Sequence, residues 1–234
     1  MQKLTALALL WLLALVPALA QTAPEVRSLA SFHAVEVSSG IELHLATGQP
    51  QLVQASADTP ELLARLKTEV SDGVLKITFE RKIDEVWGKK SYVRNLRVNV
   101  TTAPLTALKA SSGAKVEVAG PYTTDNLKLD VSSGATLKAE FVVPNVQARV
   151  SSGGVATVTG KIQHLDVQAS SGGVFKGSDL QATACEAAAS SGGTVAVAVQ
   201  ETLTADASSG GDVRYSGSPK VTKHTSSGGS VKSR

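Results

Sequence analysis

Around residues 127–139, apolar and polar residues alternate on both sides of a short interruption. Leu127, Leu129 and Val131 are separated by Lys128 and Asp130, and beyond Ser132-Ser133-Gly134 the alternation resumes with Leu137 and Ala139 flanking Lys138. A period of two marks a strand with one buried face. The unit recurs along the chain. Val146, Ala148 and Val150, then Leu165, Val167 and Ala169, then Cys185, Ala187 and Ala189, then Leu203, Ala205 and Ala207 hold the same inward places before an interruption. Val116 and Val118, Ala156 and Val158, Val195 and Val197, and Val213 and Tyr215 hold the inward places after it. Each unit therefore predicts two strands joined at a corner.

The corner is always Ser-Ser-Gly. After a first copy at Ser38, it stands at Ser111-Ser112-Gly113, Ser132-Ser133-Gly134, Ser151-Ser152-Gly153, Ser170-Ser171-Gly172, Ser190-Ser191-Gly192, Ser208-Ser209-Gly210 and Ser226-Ser227-Gly228. From the second copy onward the intervals are 21, 19, 19, 20, 18 and 18 residues, a repeat that reads as a solenoid. Such short repeats leave no room for a helix pair, whereas one turn of parallel β-structure fits. Glycine tolerates the positive φ that a corner requires. Parity carried through the motif turns the second Ser inward with the following Gly or Ala, and the first Ser and its Gly outward; stacked inward hydroxyls would then hydrogen-bond to backbone or to one another. Segments such as "GPYTTDN", "FVVPN", "GKIQH" and "GSPK" are expected to close each coil with a third side rich in turn formers. The predicted fold is an all-β, single-stranded parallel β-helix of 18–21 residues per coil, right-handed by the chirality rule for parallel crossovers.

These residues carry a resemblance. The Ser-Ser-Gly blocks, "FHAVEVSSGIELHLATG", "VSDGVLKITFE" and the closing "DVRYSGSPKVTKHTSSGGSV" resemble the bacterial secreted family called the putative autotransporter adhesin head, GIN domain, from about residue 28 to residue 234. The resemblance implies a right-handed single-stranded parallel β-helix with a less regular N-terminal part, and a family of unassigned function. Many relatives write Ser-Gly-x-Gly at the bend where this chain writes Ser-Ser-Gly-Gly. No translocator barrel follows the repeats, so the chain is not expected to be an autotransporter itself.

The stretch between the first two corners is less regular. "IELHLATGQPQLVQASA" reads as two strands around Gly48. "TPELLARLKTEV" places Thr59 as N-cap and Pro60 at the first position of a short helix near 60–68. "VLKITFE" and "LRVNV" read as strands on either side of the charged "RKIDEVWGKKSY". Residues 21–105 are expected to form a β-rich capping part that hides the end of the solenoid, and residues 106–234 the regular β-helix.

Composition adds compartment. Lys3, the apolar run Leu4–Val16 and the A-x-A ending at Ala20 form a signal peptide, residues 1–20, whose core is too short for a comfortable membrane span. Export with cleavage after Ala20 is expected; retention as an N-terminal anchor is the alternative. No Cys follows Ala20, which argues against a lipoprotein, and the mature chain has no transmembrane segment. Its location is then periplasm, cell surface or medium. The whole chain carries 23 basic and 20 acidic residues, and loss of Lys3 leaves +2, too near balance to point to nucleic acid. Aromatic residues make up 4% of the chain, so small side chains must fill the core.

Candidate chemistry is sparse. Six residues after each first Ser stand Glu117, Lys138, Thr157, Lys176, Ala196, Arg214 and Lys232, a mostly basic outward column. It would receive an acidic glycan or a membrane surface; equally, exposed Lys keeps sheets from associating. Trp87 lies among Arg81, Lys82, Lys89 and Lys90, which suits a sugar or an anionic partner, or else Trp87 covers the open end of the helix. Asp166 and Glu186 would neighbour each other in adjacent coils, and such a pair would serve acid or base work on a glycan. Cys185 occupies an inward core place. His33, His44, His164 and His224 show no metal-ligand spacing. No catalytic residue, metal or cofactor is assigned. The expected function is a non-enzymatic envelope protein, adhesin-like or scaffold-like, presenting a long face to glycan, envelope polymer or protein; the alternative is a carbohydrate-active lyase or hydrolase built on a β-helix.

Overall fold

The computed structural model describes residues 23–81 and 95–234; the predicted signal peptide and the candidates Lys82, Trp87, Lys89 and Lys90 lie outside the described residues. Strands β1 (Glu25–Arg27), β2 (Ala34–Val37), β3 (Glu42–Thr47) and β4 (Leu52–Ser56) precede helix α1 (Pro60–Arg65). Strands β5 (Leu66–Ser71), β6 (Val74–Phe79), β7 (Arg97–Thr102), β8 (Ala107–Ala110), β9 (Lys115–Tyr122) and β10 (Asn126–Val131) follow. Four long strands come next: β11 (Thr136–Val150), β12 (Val155–Ala169), β13 (Val174–Ala189) and β14 (Thr194–Ala207). β15 (Asp212–Ser216), β16 (Lys220–Thr225) and β17 (Ser230–Ser233) close the chain. The fold is a β-solenoid of about seven turns built from stacked parallel strands.

The alternating residues pack as the pattern demands. Val131, Val150, Ala169, Ala189 and Ala207 form one inward row, and Leu127, Val146, Leu165, Cys185 and Leu203 another, every member at most 4% exposed. Each row stacks through in-register pairing of β10 with β11, β11 with β12, β12 with β13 and β13 with β14.

The corner differs from the expected one. The second Ser of each motif is exposed and the first is half-buried in the coils from Ser111 to Gly210; only the fourth residue, Ala114, Ala135 or a Gly, points inward. The reason is conformational. From Ser112 to Ser227 the second Ser has φ of 46–50° and the following Gly 71–76°, and the fourth residue's N–H donates back to the first Ser carbonyl, as Gly154 does to Ser151 at 2.8 Å. Two consecutive left-handed residues closed by that bond make a type I′-like turn, so strand parity does not run through it. The second Ser contributes its backbone: its carbonyl accepts from the Gly N–H of the preceding coil, Ser152 from Gly134 at 3.1 Å and Ser191 from Gly172 at 3.2 Å. The corners thus form a continuous hydrogen-bonded ladder.

The third side is also strand. β11 to β14 run unbroken from one corner to the next, and Phe141, Val143, Ile162, Leu180, Ala182 and Val199 are buried along it. Within β11 to β14 the turn formers produce slips of register rather than loops, for instance between Thr157 and Gly160 and between Gly177 and Gln181, whereas "GPYTTDN" and "GSPK" keep the expected breaks, at 123–125 and 217–219. Tyr122 begins this side: its buried ring meets Phe141 edge-on, with centroids 6.3 Å apart, and its hydroxyl accepts the Leu105 N–H.

The N-terminal part joins the same sheets. β2 and β3 flank the Ser38 corner and pair in parallel with β8 and β9, so the first corner stacks directly on the second, with the Gly40 N–H donating to the Ser112 carbonyl at 3.0 Å. β6 and β7 extend the two sheets outward. Beyond them the pairing turns antiparallel, β5 against β6, β4 against β7 and β1 against β4. Helix α1 has the expected Thr59 cap, which accepts the Leu62 N–H, and Pro60 in its first turn. It is shorter than the predicted 60–68: Leu66 already belongs to β5, because its side chain is fully buried under β6. Among the described residues no helix is long and apolar enough to cross a membrane.

Candidate ligand-binding face

The candidate column lies on the outward side of the sheet that follows the corners. Register sets its order: Glu117 beside Lys138, then Thr157, Lys176, Ala196, Arg214 and Lys232, one residue per coil. His44 and Asn99 continue it on the N-terminal side. His44 was readable, since it stands six residues after Ser38, but the long interval before the next corner hid that the two coils touch. Asn99 and its neighbour Arg97 follow no Ser-Ser-Gly and left no such signal.

The column is electrically polarised. At its N-terminal end Arg97 donates to Glu42 Oε2 from Nη2 at 3.0 Å and from Nε at 3.2 Å. His44 bridges two acids, its Nε2 3.3 Å from Glu42 Oε1 and its Nδ1 3.7 Å from Glu117 Oε2. Burial opposes ionisation of Glu42, but the Arg97 guanidinium and His44 outweigh it and hold the carboxyl below its usual range. Glu117 reaches Lys138 only loosely, at 3.9 Å, and the Lys138 side chain is 77% exposed. Toward the C-terminus the cations dominate. Lys176 makes no ion pair among the described residues, Arg214 meets Asp212 Oδ2 through Nε at 2.6 Å, and Arg234 Nη1 donates to Ser178 Oγ at 3.1 Å beside the column. Lys176, Arg214 and Arg234 border an open hollow floored by Thr157 and Ala196. Arg234 escaped the sequence reading because it lies eight residues after its corner, off the basic row.

A second shallow groove runs over the sheet that precedes the corners, lined among others by Asn126, Asn145, Gln147, His164, Asp166 and Glu186. Asp166 and Glu186 are register neighbours, and Gln147 Nε2 donates to Asp166 Oδ2 at 3.1 Å. Beneath them Cys185 is 3% exposed; burial first, and then the charges of Asp166 and Glu186, push its thiol up to about 12. It stays protonated and packs between Leu165 and Leu203. Among the described residues no group of three or more His, Cys, Asp or Glu is placed to hold a metal ion.

A parallel coil with a flat charged face and an interior of small apolar side chains defines a β-solenoid of the adhesin-like class. The chain belongs to the family described as "Putative auto-transporter adhesin, head GIN domain", which matches residues 31–219 and has no assigned function. No curated protein matches it. Its fold is similar to the solved structure of a "putative adhesin" from Bacteroides fragilis, at 17% identity and a TM-score of 0.77, covering 91% of this chain and 96% of that one. A "putative adhesin" from Parabacteroides distasonis is similar at 21% identity and a TM-score of 0.65, covering 91% and 96%. A "putative lipid binding protein" from the same species is similar at 18% identity and a TM-score of 0.62, covering 90% and 96%.

Proposed function

We propose that the chain is a non-enzymatic exported envelope protein that holds an acidic glycan or envelope polymer on the outward face of the sheet after the corners. The observation that carries this reading is the register-locked row Lys138, Thr157, Lys176, Ala196, Arg214 and Lys232. Like charges on directly adjacent strands repel. Here Thr157 and Ala196 separate most of the cations, so the row is tolerated without ligand and still attracts a polyanion. The leader sequence supports export, to the periplasm or to the cell surface.

The test is binding of residues 21–234 to an array of bacterial and host glycans at two salt concentrations. Salt-sensitive binding to acidic polymers, lost when Lys138, Lys176 and Arg214 are changed to Ser, is expected. Binding that ignores both salt and the three substitutions would overturn the reading.

The Asp166–Glu186 neighbours favour a second reading, a carbohydrate-active enzyme. A glycosidase needs its two carboxyl groups on opposite sides of the scissile bond. These two project from one face of one sheet, which argues for the binding reading. Cleavage of any glycan by the purified chain, abolished by Asp166→Asn or Glu186→Gln, would reverse that preference.

A further inference from the structure

The column carries information about spacing as well as sign. Lys138 and Lys176 are separated by one strand, and so are Lys176 and Arg214. At about 4.8 Å per strand each step spans about 9.6 Å. The residues between, Thr157 and Ala196, are small and half-buried, so each step is a notch with a cation on either rim. The neighbouring column on the corner side reads Thr136, Val155, Val174 and Thr194 before it reaches Asp212. From Lys138 to Arg214 the cations of this sheet therefore run in a single file along the solenoid axis, with Thr136, Val155, Val174 and Thr194 on the corner side; on the other side charge is confined to Glu140 near Lys138 and to Asp179 and Arg234 at the hollow. A membrane surface would be met best by a two-dimensional basic field; a single file suits a linear chain.

We infer that this column reads charge spacing, and that its ligand is an extended acidic polysaccharide with one carboxylate per disaccharide, lying along the solenoid axis. The inference rests on the polyanion-binding reading above and narrows it. One extended disaccharide is about as long as the two-strand step, so successive carboxylates meet Lys138, Lys176 and Arg214 in turn while the intervening uncharged sugars pass over Thr157 and Ala196. From Lys138 to Arg214 the evenly spaced part of the row covers four strand spacings, roughly 19 Å, the distance from the first to the third carboxylate of a hexasaccharide, and Lys232 follows one strand further on. Arg214 keeps its place in the file despite Asp212, which engages it through Nε; Lys232 closes the row.

The experiment compares hyaluronan fragments, with one carboxylate per disaccharide, against heparin fragments of equal length, with several charges per disaccharide. Anionic phosphatidylglycerol vesicles serve as a third probe. For the unmodified chain, affinity for hyaluronan is expected to rise about tenfold from tetrasaccharide to hexasaccharide and then level off. In the variant Thr157→Lys/Ala196→Lys the notches are filled; heparin affinity should rise at least about tenfold while hyaluronan affinity changes less than about threefold. If both polymers respond equally, or if the unmodified chain ranks the probes by total charge with vesicles and heparin foremost, spacing is not read although polyanion binding stands. If neither polymer binds, both readings fall. The length series on the unmodified chain decides the matter even where the double variant folds poorly.

Discussion

The corner and the third side of each coil obey different rules. From Ser111 onward every corner repeats Ser-Ser-Gly with left-handed φ values held to within 5° at each position, and every corner before the last bonds to the next through a Gly N–H and a Ser carbonyl. On the third side the register slips between Lys138 and Glu140, Thr157 and Gly160, Gly177 and Gln181, and Ala182 and Ala184. The intervals of 18–21 residues differ because that side absorbs the difference. Where two successive residues must be left-handed, few side chains serve and the motif recurs; where side chains need only fill the interior, the wording drifts. The cation column stands four residues past the corner Gly, on the regular side, so its spacing is fixed by the part of the coil that does not vary.

The strongest way to break both sides at once is Val167→Asp. Val167 is fully buried between Ala148 and Ala187. An unpaired charge there should cost about 3–5 kcal/mol and unfold neighbouring coils together; a denaturation curve like that of the unmodified chain would place Val167 outside the core. Next comes the fourth corner residue. A Cβ on Gly173 would lie 2.3 Å from the Val150 carbonyl oxygen, so Gly173→Ala should cost up to about 3 kcal/mol. The equivalent Ala135 already carries a Cβ, and Ala135→Gly should cost only about 0.5–1 kcal/mol; equal losses would contradict the distinction.

Smaller effects sharpen the comparison. One extra Ser between Ser171 and Gly172 breaks two corner hydrogen bonds and should cost about 2 kcal/mol. The same Ser between Asp179 and Leu180, where the register already slips, should cost less than half as much in the same urea titration. Ser171, at φ of 49°, tolerates Asn with a gain of a few tenths of a kcal/mol, whereas Val should lose about 1–2 kcal/mol. Acid acts least. The Glu42 carboxyl titrates below its usual 4.5 when folded, so its contribution is complete above that pH and lost as pH falls through the lowered value. For so exposed a group this amounts to less than about 1 kcal/mol. Arg97→Ala should bring the carboxyl back toward 4.5 in an NMR titration.

The inward rows were legible because alternation survives in strands that are buried on one face, and register then follows from aligning the corners. The orientation of the second Ser was not legible, since its peptide turns left-handed at a point where parity presumes continued extension. Strand on the third side was masked by Pro144 and Gly160, residues that read as turns; yet Phe141 and Val143 carry the same alternation, whereas at Gly217 the chain does break as such residues suggest. The cation column was legible residue by residue. The acid Glu42, which His44 bridges to Glu117, needed the stacking of the Ser38 corner on Ser112, which no local pattern announces.

Amide hydrogen exchange, followed residue by residue, tests most directly whether the corners hold the register on which the charged column depends. The Gly N–H groups of the inner corners, Gly134, Gly153, Gly172 and Gly192, should be protected as strongly as the core strands and should open together with Lys138, Thr157 and Lys176, while amides near the slips at Gly160 and Gln181 exchange faster. Fast exchange at those glycines beside a protected third side would contradict the account.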